Sequence, residues 1–201
     1  MNDTLVLKKL TVRAVHVPLR RPVIAGIGRF DSWPLILLDL DLSGGIVGRS
    51  YVAPYRAAAV SAVVAELRDL EALFNQKPIA PYDAFEGAMK ALNVVGVSGV
   101  STIATSALDM AIWDGLAKAA GMPLCAFLGG TVGPLRAYNS NGLWRHEIGS
   151  LAAEARELQR EGGFSAMKLR LGNLHLKDDL AAIHAVRDGV GFDIDLMVDF
   201  N

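Results

Sequence analysis

The chain has 201 residues, of which 52% are hydrophobic and 20% charged, and its formal net charge is −1 at pH 7. This composition is typical of a globular protein that buries a sizeable core, and it excludes an intrinsically disordered chain. Because Lys and Arg are scattered and do not outnumber Asp and Glu, the sequence provides no basic surface for nucleic acid or for an anionic membrane.

Cysteine content and the first residues indicate the compartment. Cys125 is the single cysteine, which excludes an internal disulfide and fits a reducing compartment. It lies in an apolar run, so we expect it to be buried and not to act as a nucleophile. The first ten residues lack a secretory signal pattern, and the uncharged run 91–108 is interrupted by glycines, which favours loop and buried helix over a membrane span. We therefore expect a soluble, cytoplasmic protein.

The first part of the chain predicts three strands followed by helices. Residues 5–19 alternate as in a β-strand, and residues 20–33 contain proline and glycine breakers, which predict a loop compatible with a lid. Further along we predict a hairpin over 38–52, turning at Ser-Gly-Gly, and helices over 57–74, over 83–92 and over 100–120, the last of them largely buried. Residues 1–133 are therefore predicted to form an α+β domain.

From residue 134 the pattern changes to alternating strands and helices. Strands are predicted over 135–142, 165–172 and 193–201, and helices over 150–162 and 176–189. This β-α-β-α-β order predicts a parallel sheet or barrel over residues 134–201. No strand is followed by a glycine-rich turn that opens a helix, which argues against a doubly wound nucleotide-binding fold.

Charged and polar side chains mark the C-terminal ends of two of these strands. Lys168 and Arg170 share one face of the first strand, and Asp199 and Asn201 share one face of the second. Each of them alone is more simply interpreted as a solvated charge or a turn residue. Because consecutive strands joined by a helix are parallel neighbours, however, the two pairs are predicted to converge at one edge of the sheet and to form a site.

Several segments resemble the mandelate racemase/muconate lactonizing enzyme subgroup of the enolase superfamily, and are nearest to its mandelate racemase branch. They are SALDMAIWDGLAKAAGMPLCAFLGG over 106–130, MKLRLG and VDFN at the two strand ends, RAVHVPL near the start and SYVAPY at 50–55. The resemblance implies an α+β capping domain (1–133) followed by the first three strands of a modified TIM barrel (134–201). It further implies Mg²⁺, a small carboxylate substrate and a homo-oligomer.

The resemblance also implies roles for individual residues. Asp199 matches the first of three carboxylate ligands of the metal, and Asn201 matches a polar residue at the same strand end. Lys168 matches the lysine that lies against the substrate carboxylate, and Ser140 resembles a further contact to that carboxylate. The positions where loops of the capping domain close on the substrate are occupied by Val23, Phe30 and Tyr55.

Arg170 departs from the family pattern, because it stands where the family has a second lysine that acts as a base. A guanidinium keeps its proton, whereas a lysine can be tuned to lose it. Racemisation needs a base on each face of the substrate, so the sequence favours dehydration of a sugar acid or another 2-hydroxy acid through a metal-stabilised enediolate. Racemisation of a 2-hydroxy acid such as mandelate remains the alternative, with Arg170 binding the substrate or acting as a base in an extreme environment.

The length is the second departure. A complete barrel takes about 250 residues, and the resemblance places the remaining metal ligands and the second base on strands that this sequence does not contain. We therefore expect a fragment of a longer enzyme, inactive by itself. A non-catalytic protein that binds a partner through its open strand edge is the competing hypothesis.

Overall fold

The computed structural model describes residues 5–25, 28–145 and 147–200. Contacts group the chain into two compact units. The first contains the residues up to Val17 together with Trp33–Gly133, and the second contains Pro18–Ser32 together with the residues from Pro134 onward. The division of the sequence into domains at residues 133 and 134 stays a prediction.

A three-stranded sheet and the helices that follow it build the first core. The strands are β1 (Leu7–Ala25), β2 (Gly28–Leu42) and β3 (Val47–Val52), in the order β1-β2-β3, with β2 and β3 antiparallel. Every second residue of β2 from Ile36 to Leu42 is buried, because successive side chains point to opposite faces. The helices are α1 (Ala57–Phe74), α2 (Pro81–Leu92), α3 (Val100–Ala119) and the short α4 (Leu124–Phe127).

Helix α3 is the central helix of this core. Nine of its residues are buried, most of them small (Ser101, Ala104, Thr105, Ala107, Leu108, Ala111, Ile112, Gly115 and Ala117). Small side chains allow the helix to approach β3 closely. A Cβ built on Gly48 would lie 2.0 Å from the Ala111 carbonyl oxygen, so only glycine fits at that position. The prediction that this helix is largely buried is confirmed.

Three local predictions about this part of the chain are wrong. The predicted loop over 20–33 is mostly strand, because β1 continues to Ala25 and β2 begins at Gly28; Pro22 is tolerated there since β1 is an edge strand. Helix α2 begins at Pro81 and not near Asp83, since proline suits the first turn of a helix. Cys125 is exposed and not buried, because the short α4 that carries it buries none of its residues.

The second unit contains two parallel strands joined by a helix. Helix α5 (Ile148–Arg160) precedes β4 (Ala166–Arg170), helix α6 (Leu176–Val190) and β5 (Asp195–Asp199), with β4 and β5 parallel. Their apolar faces form a second core, which contains Leu143, Leu151, Leu158, Met167, Leu169 and Val186. An α+β region thus precedes a partial barrel-like α/β region, which confirms the predicted fold class.

The predicted strand over 135–142 is reduced to a single bridge. Asn139 pairs in parallel with Met167: its N–H donates to the Ala166 carbonyl (2.8 Å) and its carbonyl accepts from the Lys168 N–H (3.0 Å). The residues on either side of Asn139 do not continue this ladder, and their alternation in sequence was therefore misleading. In the described part of the chain, none of the helices combines the length and the apolar character that a membrane span needs.

Candidate active site

Lys168 and Asp199 form an ion pair at the C-terminal ends of β4 and β5. Lys168 Nζ donates a hydrogen bond of 2.8 Å to Asp199 Oδ2, and the side chains are 19% and 33% exposed. Arg170 is the register partner of Asp199, so all three charged side chains lie on one face of the sheet at the same edge. The structure thus brings Lys168, Arg170 and Asp199 together, and their functional roles stay predictions.

Arg170 is almost fully buried, with 5% of its surface exposed, and is held by the segment that precedes α5. Its Nη1 donates to the carbonyls of Ser140 (2.9 Å) and Gly142 (2.7 Å), and its Nη2 donates to Ser140 Oγ (2.7 Å). The Trp144 ring covers the same guanidinium, whose carbon lies 3.8 Å from the ring centre. Both Nη groups of Arg170 therefore donate to its own chain, whereas the buried Nε has no hydrogen-bond partner among the described residues.

These surroundings argue against Arg170 as a base. Burial lowers the pKa of the Arg170 guanidinium below its ordinary value, while the nearby Asp199, Tyr138 and Glu154 oppose that shift. An arginine nevertheless keeps its proton in proteins, and a protonated guanidinium has no atom that can accept another. Its contacts are those of a donor that organises its surroundings.

The other predicted substrate contacts fall in different parts of the structure. Ser140 lies in the site through its hydrogen bond from Arg170. Val23, near the end of β1, and Phe30, near the start of β2, are partly exposed and belong to the same compact unit as the site. Tyr55 belongs to the first compact unit. Asn201 lies outside the described residues.

Tyr55 has its own local arrangement. Its ring packs edge-to-face on Trp33, with centroids 5.5 Å apart, while 59% of the residue stays exposed. Its backbone has a φ of 60°, which is unusual for a residue with a side chain. The Tyr55 ring is therefore packed against Trp33 and still accessible to solvent. Its contact with a substrate stays a prediction.

The described residues do not form a complete metal site. Among them, no group of three or more His, Cys, Asp or Glu side chains is placed to hold a metal ion. Asp199 offers carboxylate oxygens, which suit Mg²⁺, but Oδ2 already accepts a hydrogen bond from Lys168. Asp199 alone therefore fits one ligand position, and further ligands would have to come from outside the described residues.

Sequence reasoning missed two residues that shape the site. Trp144 covers Arg170, and its place two residues after the end of the polar 135–142 segment was the available signal. Asp179 accepts hydrogen bonds from the backbone N–H groups of Gly172 (3.1 Å) and Asn173 (3.0 Å), in the loop that leaves β4. The Asn173 bond is the main reason that the pKa of Asp179 is lowered from its ordinary value. The signal for Asp179 was its position in the first turn of α6.

Known proteins share this architecture. The family described as "Mandelate racemase / muconate lactonizing enzyme, N-terminal domain" matches residues 8–129, and "Enolase C-terminal domain-like" matches residues 150–201. A solved enolase from alpha proteobacterium bal199, with bound magnesium, is 46% identical and has a TM-score of 0.92, over 98% of this chain and 55% of its own.

Curated enzymes are similar as well. D-galactarolactone cycloisomerase from Agrobacterium fabrum is 30% identical over 96% of this chain and 52% of its own length. L-talarate/galactarate dehydratase from Salmonella typhimurium is 36% identical over 49% of this chain and 25% of its own. The curated relatives comprise sugar-acid dehydratases, cycloisomerases and epimerases, and the chain spans about half the length of those that it matches from end to end.

These matches confirm the resemblance seen in the sequence, and together they cover both compact units. The N-terminal family match alone accounts for more than half of the chain. The chain belongs to the mandelate racemase/muconate lactonizing enzyme family of the enolase superfamily.

Proposed function

We propose that this chain forms part of a Mg²⁺-dependent enzyme that removes the proton α to a carboxylate, in the dehydration of a sugar acid or another 2-hydroxy acid. The observation that carries the proposal is the Lys168–Asp199 pair, which places an ammonium 2.8 Å from a carboxylate at the rim of two parallel strands. The presence of sugar-acid dehydratases among the curated relatives supports the reaction class.

In this proposal Lys168 donates to the substrate carboxylate. Negative charge builds on that carboxylate as the α-proton leaves, and a preoriented ammonium in a partly buried site stabilises it more in the transition state than in the ground state. The β-hydroxyl then leaves as water with the proton that the base had taken, and the remaining enol tautomerises to a 2-keto acid. Arg170 takes no proton, so a single base elsewhere in the protein performs the abstraction.

Mg²⁺ is proposed as the cofactor on the chemistry of the site and on the magnesium bound in the solved relative. Asp199 would hold it as one oxygen ligand, together with ligands from outside the described residues. When bound, the ion would act as a Lewis acid toward the substrate carboxylate. The homo-oligomeric state and the cytoplasmic location stay predictions.

Racemisation or epimerisation is the second candidate, because epimerases are also among the curated relatives. It needs a base on the face that Arg170 occupies. An Arg170→Lys variant that gains racemisation of mandelate would favour this candidate and would show that the guanidinium had blocked it.

A non-catalytic role is the third candidate, favoured by the single carboxylate that the described strand ends contribute. Intact mass of the protein expressed from its complete reading frame separates this role from the enzymatic one. About 160–180 further residues would supply the remaining barrel units, at about 30 residues each.

The decisive experiment follows the substrate α-proton. The protein from the complete reading frame is incubated in deuterated buffer with galactarate or mandelate, with and without Mg²⁺, and exchange of the α-proton is followed by NMR. We expect exchange that requires Mg²⁺ and that Asp199→Ala abolishes. Asp195→Ala, at the other end of β5, is the matched control and should retain exchange. Undiminished exchange in Asp199→Ala would remove Asp199 from the mechanism.

A further inference from the structure

We propose that Arg170 is a positioning residue that acts through Ser140. Its hydrogen bonds fix residues 140–144. Because one of them is donated to Ser140 Oγ, the Ser140 hydroxyl donates its own hydrogen to the carboxylate of the ligand. The second half of this inference rests on the proposed function, since it takes the ligand to be a carboxylate. The first half concerns the folded chain alone.

Residues 140–144 need such support because they form few backbone hydrogen bonds with a neighbouring strand. Parallel pairing with β4 is confined to the bridge at Asn139, and beyond it the Leu143 carbonyl accepts from the Arg170 N–H (3.0 Å). The carbonyls of Ser140 and Gly142 accept from the Arg170 side chain, and Gly142 is buried. Buried carbonyls without partners are costly, so the guanidinium replaces the bonds that a neighbouring strand would have supplied.

A lysine at position 170 could not reproduce this arrangement. The planar guanidinium reaches two carbonyls and one hydroxyl while its face lies on the Trp144 ring, 3.8 Å from the ring centre. An ammonium is a compact point charge without a planar face to stack. The departure from the family's lysine therefore changes what the side chain does, from proton transfer to holding its neighbours.

The direction of the Ser140 hydroxyl follows from the chemistry of its partner. Arg170 Nη2 donates to Ser140 Oγ at 2.7 Å, and an arginine has no atom that can accept in return. The Ser140 hydrogen must therefore point to another acceptor. A hydrogen bond from a cation also polarises the hydroxyl and makes it a stronger donor. A carboxylate suits such a donor, and Lys168, on the same face of β4, points its ammonium toward the same strand edge.

The first test measures the folded chain and needs no ligand. Hydrogen exchange of peptides covering residues 140–145 is compared in wild type, Arg170→Lys and Arg170→Met. Tryptophan emission is measured in the same proteins, and the Trp144→Phe variant identifies the part of the emission that comes from Trp144. We expect at least roughly tenfold faster exchange of these peptides and loss of the Trp144 contribution in both variants, while helices α1 to α3 keep their protection. Wild-type exchange in Arg170→Lys would overturn the positioning role and would show that charge alone is sufficient.

Arg187→Lys is the matched control. Arg187 also donates to two carbonyls, those of Gly191 (3.0 Å) and Ile194 (2.6 Å), and lies over a ring, that of Phe192. The same substitution there should leave residues 140–145 and the Trp144 emission unchanged. If Arg187→Lys accelerates exchange at 140–145 as much as Arg170→Lys does, the effect is a general loosening of the unit and the proposal fails.

The second test concerns the hydroxyl. In the protein from the complete reading frame, the Kd of galactarate or mandelate is measured in a double-mutant cycle of Ser140→Ala and Arg170→Lys. We expect Ser140→Ala to weaken binding roughly tenfold in wild type and hardly at all once Arg170 is replaced. Independent, multiplying effects would overturn the action through Ser140 while leaving the proposed function intact. Absence of carboxylate binding in wild type would overturn both the proposed function and the hydroxyl's role, and the exchange experiment would still decide whether Arg170 positions residues 140–144.

Discussion

Lys168 donates a 2.8 Å hydrogen bond to the Asp199 carboxylate from the neighbouring strand, although the register partner of Asp199 is Arg170 and not Lys168. The lysine therefore reaches diagonally toward the strand edge, whereas the arginine turns away to Ser140 and Gly142. The two cations, two residues apart on one face of β4, therefore have different partners. Lys168 stays at the carboxylate, and Arg170 holds the adjoining segment.

Lys168→Met tests the first of these tasks. Removing one preoriented cationic donor from a developing negative charge should lower Mg²⁺-dependent α-proton exchange by about 10²–10³-fold. The change in folding free energy should stay near or below ~1 kcal/mol, because the pair is still partly exposed to solvent. Exchange by NMR and a urea unfolding curve measure the two effects.

Lys177→Met is the control for that substitution, since Lys177 lies exposed in the first turn of α6. It should leave both exchange and stability near wild type. Full exchange activity in Lys168→Met would assign the stabilisation of the carboxylate to another group.

The C-terminal part of β1 is attached by ion pairs to the end of helix α5. Arg21 Nη2 donates to Glu157 Oε1 (2.8 Å), and its two Nη groups together bind both oxygens of Glu161. The hydrogen bond from Arg21 is the main reason that the pKa of Glu161 is lowered from its ordinary value. A lowered pKa means that the attachment contributes fully above the ordinary glutamate pKa of about 4.3 and is lost as the pH falls through the lower folded-state value.

We therefore expect acid to loosen residues 18–25. Hydrogen-exchange protection of this segment, corrected for intrinsic rates, should be constant near neutral pH and should fall once the pH drops below the ordinary glutamate pKa of about 4.3. Arg21→Gln should show the low protection throughout. Arg29→Gln is the control, because Arg29 pairs with Asp31, two residues away, and both are well exposed. Unchanged protection in Arg21→Gln, or an acid transition that survives that substitution, would contradict the assignment.

The local sequence pattern was sufficient to predict those elements whose structure depends on the spacing of their own apolar residues. The helix over 57–74, the burial of α3 and the alternation along β2 all follow from the spacing of apolar residues. Where a strand needs a partner, the pattern misled: β1 and β2 extend through predicted loop residues because they neighbour each other, and the 135–142 segment alternates but keeps only the bridge at Asn139.

The candidate site divides in the same way. That Lys168, Arg170 and Asp199 meet follows from the rule that consecutive βα units are parallel neighbours. The burial of Arg170 could not be predicted, because its partners are the carbonyls of Ser140 and Gly142, whose direction depends on backbone geometry and not on residue type.

Asp179 is predicted to order the loop that leaves β4. Its carboxylate accepts from both backbone amides of Gly172 and Asn173 and from the Asn173 side chain (2.8 Å). Asp179→Ala should accelerate hydrogen exchange of these two amides by about tenfold or more, as expected when bonds to a charged acceptor are lost. Asp178→Ala removes a charge from the same helix turn and controls for the helix dipole. Equal acceleration in both variants would mean that the dipole, and not the hydrogen bonds, orders the loop.

Gly48→Ala is predicted to be strongly destabilising. The added Cβ would lie 2.0 Å from the Ala111 carbonyl oxygen and 3.1 Å from the Gly115 nitrogen, both in the backbone of α3, so neither atom can rotate away. Overpacking of this kind costs about 1–3 kcal/mol or more, and it should appear as a lower urea midpoint with an unchanged slope. Gly133→Ala is the control, since nothing lies within 4 Å of its Cβ position and its φ is not positive. A Gly48→Ala protein as stable as Gly133→Ala would show that β3 and α3 are not packed as closely as their backbones indicate.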